Sequence, residues 1–185
     1  MLHLDVMDGS FVTNISFGFP VIESLRKKSG MVFDVHLMID KPERYAERFI
    51  KAGADILTFH VEATEKARET LELIRKMGKR AALSVKPGTP VEAVYPYLDV
   101  CDMILIMTVE PGYGGQALIP ETIDKVRVLK EYLDKNGYHI DIQVDGGINS
   151  ENAPVLIDAG ANVLVAGSSV FKASSRRDAI DALRG

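Results

Sequence analysis

Residues 48–61 read RFIKAGADILTFHV. A helix-compatible segment with basic residues stops at Gly53, and a short aliphatic and β-branched run follows. The same event recurs in RKKSGMVFDVHL at Gly30, LIRKMGKRAALSV at Gly78, YLDKNGYHIDIQV at Gly137 and LIDAGANVLVAGS at Gly160. Glycine just past a helix tolerates positive φ, and Lys or Arg in the last turn suits the negative end of the helix dipole. The runs after each glycine are short and dense in Val, Ile and Leu, as for strands buried on both faces of a parallel sheet. Helix starts agree: Pro42 stands near a first helical position, TPVE (Thr89–Glu92) has the form of a capping box, and Asn149 or Ser150 can cap APVLIDAG.

These signals predict strands at 2–7, 32–38, 55–61, 80–86, 102–108, 139–144 and 162–166. Helices are expected over 20–29, 42–52, 65–77, 90–98, 120–136, 150–159 and 175–184. Strict alternation implies an α/β fold with a parallel sheet and right-handed crossovers. Two architectures compete, a doubly wound open sheet and a (β/α)8 barrel, and both bind ligands at the C-terminal ends of the strands. Seven strands are counted where a barrel needs eight. The eighth is expected at the front, because the sequence opens directly on a strand.

With 185 residues, 46% hydrophobic and 26% charged, the chain reads as one domain over residues 1–185. A net charge of -4 gives no basic field for nucleic acid or an anionic membrane. No apolar run is long enough to cross a bilayer, and no secretory signal pattern opens the sequence. Cys101, the single cysteine, excludes an internal disulfide and suits a reducing, cytoplasmic setting. Its apolar neighbours predict a buried thiol.

Polar residues gather at the strand ends. His3, Asp5 and Met7 share one strand face, His36 ends a second strand, and Asp145 follows a third. A lone strand histidine is ordinarily a core residue; two histidines and two carboxylates from three strand ends can converge on a divalent cation. His60 is divided between core packing and support of that group, and Asp34 between pairing with a neighbour and function. His139 is expected on the opposite face, Asp8-Gly9 in a turn, and Lys86 in a loop rather than as a Schiff-base lysine.

Glycine clusters supply a second feature: EPGYGGQ (Glu110–Gln116), DGGINS (Asp145–Ser150) and AGSSVF (Ala166–Phe171) each follow a strand. Glycine lets backbone N–H groups approach an anion, and barrels often bind phosphate after their last two strands. No GxGxxG or P-loop motif supports a nucleotide cofactor. The residues therefore describe a phosphorylated small molecule held at one end, with metal and carboxylates acting beside a carbonyl at the other.

The stretches LHLDVMDGSFVTNISFG, FDVHLMIDKPERY, AGADILTFHVEA, KPGTPVE, MTVEPGYGGQ, IQVDGGIN and AGANVLVAGSSVF together resemble the ribulose-phosphate 3-epimerase family across nearly the whole sequence. The resemblance implies a phosphate-binding (β/α)8 barrel that interconverts D-ribulose 5-phosphate and D-xylulose 5-phosphate through an enediolate. It implies one divalent metal ion (zinc, iron, manganese or cobalt) on His3, Asp5, His36 and Asp145, with Asp5 and Asp145 as the two acid/bases. Contacts to substrate and phosphate fall on His36, Gly112, Tyr113, Gly114, Gly115, Gly146, Gly147, Gly167 and Ser168. Met7, Met38 and Met107 match an apolar cap, and a homo-oligomer is expected.

The family carries a strand and helix ahead of HLDVMDG, with a substrate-contacting serine, that find no match here. The expectation is therefore seven βα units, two facing strand edges, poor metal binding and slow turnover. Related readings are an allulose 6-phosphate epimerase or an inactive phosphate-sugar binding fragment. Hexulose-phosphate synthases and decarboxylases carry Asp-x-Lys-x-x-Asp at a strand end. DVHLMI places His36 in the lysine slot, against that reading.

Overall fold

The computed structural model describes residues 1–184. Seven strands form one sheet: β1 (Leu2–Met7), β2 (Phe33–Met38), β3 (Ile56–His60), β4 (Arg80–Val85), β5 (Met103–Met107), β6 (Asp141–Asp145) and β7 (Val163–Val165). Their order in the sheet is their order in the chain, and every neighbouring pair is parallel. A doubly wound sheet reverses its strand order at a switch point; this one never does.

The sheet is also curled. Strands lie about 4.8 Å apart, so β2 and β6 would be about 19 Å apart in a flat sheet. Yet Gln143 Nε2 on β6 donates to Asp34 Oδ2 on β2 at 2.6 Å. His3 Nε2 on β1 likewise lies 3.7 Å from Asp145 Oδ2 on β6. Only a sheet that bends round on itself can make these contacts, and the result is barrel-like.

Alternation sorts the strand residues into two layers. Val35 and Leu37, Leu57 and Phe59, Ile104 and Ile106, and Ile142 and Val144 face outward. They pack against Ile22 of α1 (Phe19–Arg26), Phe49 of α2 (Ala46–Ala52), Leu71 and Ile74 of α3 (Ala67–Lys76), Leu129 of α4 (Glu121–Asn136) and Leu156 of α5 (Ala153–Asp158). Inward, Ile56, Ala82 and Met103 with Val163 form an apolar floor. Above that floor the inward residues become polar. The chain ends in two more helices, α6 (Ser168–Phe171) and α7 (Arg176–Ala182). No helix among the described residues is long and apolar enough to cross a membrane. β1 and β7, the two edge strands, are less buried than β2 through β5.

Glycine ends several helices as expected. Gly53, Gly78, Gly137 and Gly160 all have positive φ. Gly30 does not, because α1 already stops at Arg26. The Arg26 guanidinium there donates to the Ser29 and Met31 carbonyls and holds the connection in place of a glycine cap. The capping box at TPVE does not form either. Val91–Tyr97 is a 3-10 helix without a side-chain cap, and it contains Pro96, which has no N–H to donate to an α-helical ladder. Helix 42–52 is split into a 3-10 turn at Pro42–Arg44 and α2. Asn149 Oδ1 accepts from the Glu151 and Asn152 N–H groups in the turn before α5, but the cap position of α5 itself is Asn152, which makes no side-chain cap bond. Cys101 is buried, and burial with nearby Asp102 pushes its thiol up to about 12.

The N-terminal ends of the strands are clamped by Asp55. It accepts from Phe33 N at 3.0 Å, Arg26 Nη1 at 2.9 Å and Lys79 Nζ at 2.9 Å. Burial works to raise its pKa, but these donors outweigh it and hold the carboxyl below its usual range. The clamp is therefore complete above the unfolded-state value near 4 and is lost as pH falls through the lower folded value. Asp55→Ala should lower stability by about 2 kcal/mol at pH 7. Urea unfolding at pH 7 and pH 3 should show the gap between wild type and variant narrowing at the lower pH.

Candidate metal and acid–base site

Strand register assembles the site. Asp5 pairs with His36, and His3 with Asp34, across β1 and β2. Met7 faces Met38 in the same ladder, and Met107 faces Asp145 across β5 and β6. Curling then brings β6 against β1. One donor atom from each of His3, Asp5, His36 and Asp145 lies within 4.8 Å of all the others.

Their spacing fits a single cation. His3 Nε2 and His36 Nδ1 stand 3.3 and 3.2 Å from Asp5 Oδ1. Asp145 Oδ2 is 3.7 Å from the first nitrogen and 4.0 Å from the second. Donors about 2.0–2.2 Å from a tetrahedral ion must lie roughly 3.3–3.6 Å apart. His3 Nε2, Asp5 Oδ1 and His36 Nδ1 are buried and have no hydrogen-bond partner, although they are close enough to bond one another. They cluster without bonding one another, as ligands of a shared ion would.

The surrounding charge agrees. Asp5, Asp34 and Asp145 put three carboxylates around two imidazoles, a field that favours positive charge. Burial opposes a charged His3, but the hydrogen bond with Asp34 and the nearby Asp5 and Asp145 carboxylates hold its pKa well above the ordinary histidine value. Burial likewise opposes ionisation of Asp5, and the two histidines overcome it and lower its pKa. Asp145 moves the other way, raised by burial and by the charge of Asp5.

A second ring of residues orients the first. Asp34 is fully buried and accepts from His3 Nδ1 at 2.7 Å and from Gln143 Nε2 at 2.6 Å. His60 Nε2 lies 2.9 Å from His36 Nε2, and His60 Nδ1 lies 3.3 Å from Glu62 Oε2. Burial lowers the His60 pKa to about 4. Glu62, against its own burial, falls to about 2 through hydrogen bonds from His60, Thr89 and the Lys86 N–H. His60 and Asp34 are thus both supporting residues. Gln143 could have been read from the sequence, because it sits two before Asp145 and so on the same inward face. Glu62 carried no such signal, since it lies in a 3-10 turn after β3.

The cleft above, about 530 Å³ with its mouth open to solvent included, is lined by Asp5, Asp145, Met7, Met38 and Met107. Gly112, Tyr113, Gly114, Gly115, Gly146, Gly147, Gly167 and Ser168 line it too, joined by Val109, Glu110, Gln116, Ile148 and Val165. His36 is fully buried and His3 nearly so; neither is among the lining residues, so both lie beneath the cleft, between it and the apolar floor. Three other predicted positions lie elsewhere. Lys86 places its ammonium 3.8 Å from the Phe11 ring centroid, outside the cleft. His139 is exposed just ahead of β6. Asp8 makes the turn with Gly9, accepting from the Ser10 and Phe11 N–H groups.

Solved structures define the fold class. The crystal structure of 3-keto-L-gulonate-6-phosphate decarboxylase from Vibrio cholerae O1 biovar El Tor superposes with a TM-score of 0.73 at 14% identity, covering 100% of this chain and 95% of that one. The 3-hexulose-6-phosphate synthase from Salmonella typhimurium gives 0.72 at 16% identity, covering 98% and 95%. At this identity the likeness is one of fold. Sequence narrows it further: residues 1–171 match the ribulose-phosphate 3 epimerase family. The ribulose-phosphate 3-epimerase of Bacillus subtilis (strain 168) is 45% identical over 185 residues, covering 100% of this chain and 85% of that protein. That of Synechocystis sp. (strain ATCC 27184 / PCC 6803 / Kazusa) is 46% identical, covering 99% and 80%. The chain belongs to the ribulose-phosphate 3-epimerase family and is an isomerase.

The glycine loops are constrained by more than ligand access. A Cβ on Gly147, whose φ is +69°, would meet Leu118 N at 2.4 Å and Gln116 O at 2.9 Å. Gly114 has open space and no positive φ. Gly147→Ala should cost about 1–3 kcal/mol in urea unfolding and displace the 116–118 segment. Gly114→Ala should leave stability within about 0.5 kcal/mol of wild type.

Proposed function

We propose that this chain catalyses epimerisation at C3 of a ketopentose phosphate, interconverting D-ribulose 5-phosphate and D-xylulose 5-phosphate in a phosphate-binding (β/α)8-type scaffold. One observation carries the reading. Two carboxylates and two imidazoles from three strands converge beneath a cleft whose rim is built from three glycine loops.

In this reading Asp5 and Asp145 share the proton transfer. One carboxylate removes the C3 proton, leaving an enediolate, and the other delivers a proton to the opposite face of C3. The roles exchange in the reverse direction. A divalent cation held by His3, Asp5, His36 and Asp145 supplies Lewis-acid stabilisation of charge on the substrate oxygens. The donor set suits zinc, iron, manganese or cobalt. Met7, Met38 and Met107 cover the reacting carbon with apolar surface and keep bulk water from it. Backbone N–H groups at Gly146, Gly147, Gly167 and Ser168 receive the phosphate, and Gly112, Tyr113, Gly114 and Gly115 close over the sugar chain.

The test is incubation with D-ribulose 5-phosphate in D2O. Deuterium at C3 and appearance of D-xylulose 5-phosphate, both followed by NMR, are the expected result. Asp5→Asn and Asp145→Asn should each lower turnover by about 10²–10⁴-fold. Chelation should remove activity and lower the thermal midpoint, and added Zn, Fe(II), Mn or Co should restore both. Folded, metal-loaded protein that neither exchanges C3 nor forms product would overturn the assignment.

A further inference from the structure

Four donors can converge on a metal only if each histidine offers a bare nitrogen to it, and a neutral imidazole has one bare nitrogen and one protonated one. For His3 the choice is made directly, since Asp34 can only accept a hydrogen bond and so requires the proton on Nδ1. His36 has no carboxylate beside its outer nitrogen. We propose that His60 and Glu62 form a positioning relay that locks His36 in the tautomer protonated at Nε2, so that its Nδ1 lone pair faces the metal. The inference rests on the metal-site reading above.

The relay follows from which groups can donate. The Glu62 carboxylate only accepts, and its Oε2 lies 3.3 Å from His60 Nδ1, which therefore carries the proton. His60 Nε2 is then a lone-pair acceptor. It faces His36 Nε2 at 2.9 Å, a distance that requires one proton between the two atoms, and His36 must supply it. His36 Nδ1 is left bare. The reverse arrangement would have His36 donate from Nδ1 to Asp5, yet the two atoms, 3.2 Å apart, form no hydrogen bond.

The relay is itself held rigidly. Glu62 Oε1 accepts from the Lys86 N–H at 2.8 Å. The loop carrying Lys86 is pinned by Lys125, whose Nζ donates to the carbonyls of Lys86, Pro87 and Thr89. The Phe11 ring packs on His60, with centroids 4.8 Å apart. Outer partners of this kind set ligand orientation and basicity, and their loss typically costs about 10–100-fold in metal affinity.

Two measurements test the relay. Imidazole 15N NMR of metal-stripped protein reports the His36 tautomer, and Co2+ titration followed by visible absorption reports affinity and geometry. In wild type, His36 should be protonated at Nε2. His60→Phe keeps a ring beside Phe11 but removes the acceptor; His36 should lose its fixed tautomer and Co2+ affinity should fall about 10–100-fold. His60→Gln, whose side-chain oxygen can accept from His36 Nε2, should restore most of that affinity, which a packing role alone would not. Glu62→Gln cannot accept from both His60 and the Lys86 N–H, and should fall between wild type and His60→Phe. Its partly exposed site keeps the test open if His60→Phe does not fold. Wild-type Co2+ affinity and an unchanged His36 tautomer in the folded His60 or Glu62 variants would overturn the relay and leave the metal site standing. Wild-type Co2+ binding by His36→Ala would overturn the metal-site reading itself.

Discussion

A buried carboxylate, Asp34, ties together strands that sheet order keeps apart. It sits on β2, accepts from His3 on β1 and Gln143 on β6, and lies 3.5 Å from the Thr58 hydroxyl on β3. A buried carboxylate without such donors would be costly by several kcal/mol, so the arrangement stands or falls as a unit. A one-residue slip of β1 or β6 would turn His3 or Gln143 to the outer face and leave Asp34 alone. The same register that satisfies Asp34 puts Asp5 beside His36 and Asp145 beside Met107. Curling of the sheet, choice of register and assembly of the site are therefore one constraint.

Much of this was legible in the chain. A glycine that permits positive φ, followed by a β-branched run, marked helix ends and strand starts, because both signals act within a few residues. The exceptions are equally local. At Gly30 the helix end is set by a guanidinium reaching two carbonyls, which the sequence of that segment does not announce. At TPVE the capping pattern was present, but Pro96 further along prevents the α-helix it would have started. Winding direction was not legible, since a doubly wound sheet and a barrel use the same alternation. Contacts between β2 and β6, distant in sequence, decide it.

The site was legible to the extent that parity and strand ends could reveal it. His3, Asp5, His36 and Asp145 stand near strand ends, and two-residue alternation puts His3 with Asp5. Gln143 follows from the same parity. Which residues touch the cleft did not follow. His36, expected against substrate, is buried beneath the cleft, because it stands two residues before Met38 on the same face of β2 and so one layer deeper. Glu62 carries no sequence signal, because it reaches His60 from a turn that has no periodicity to read.

Three of the unpaired buried side-chain atoms belong to one cluster, and they differ from the buried polarity that folding satisfies. Asp34, a carboxylate at the same depth, has its donors, and folding alone explains why it is tolerated. His3 Nε2, Asp5 Oδ1 and His36 Nδ1 do not, and a buried polar atom without a partner costs about 1–3 kcal/mol. Three such atoms scattered through a core would be three separate defects. Three that lie together, beside a fourth donor on Asp145, are a single arrangement whose cost one cation would recover. Apolar substitutions at those positions would give a better-packed interior. Asp5 and Asp145, the two carboxylates of that group, also line the cleft that the three methionines and the glycine loops share, which is where the proposed proton transfer would need charge.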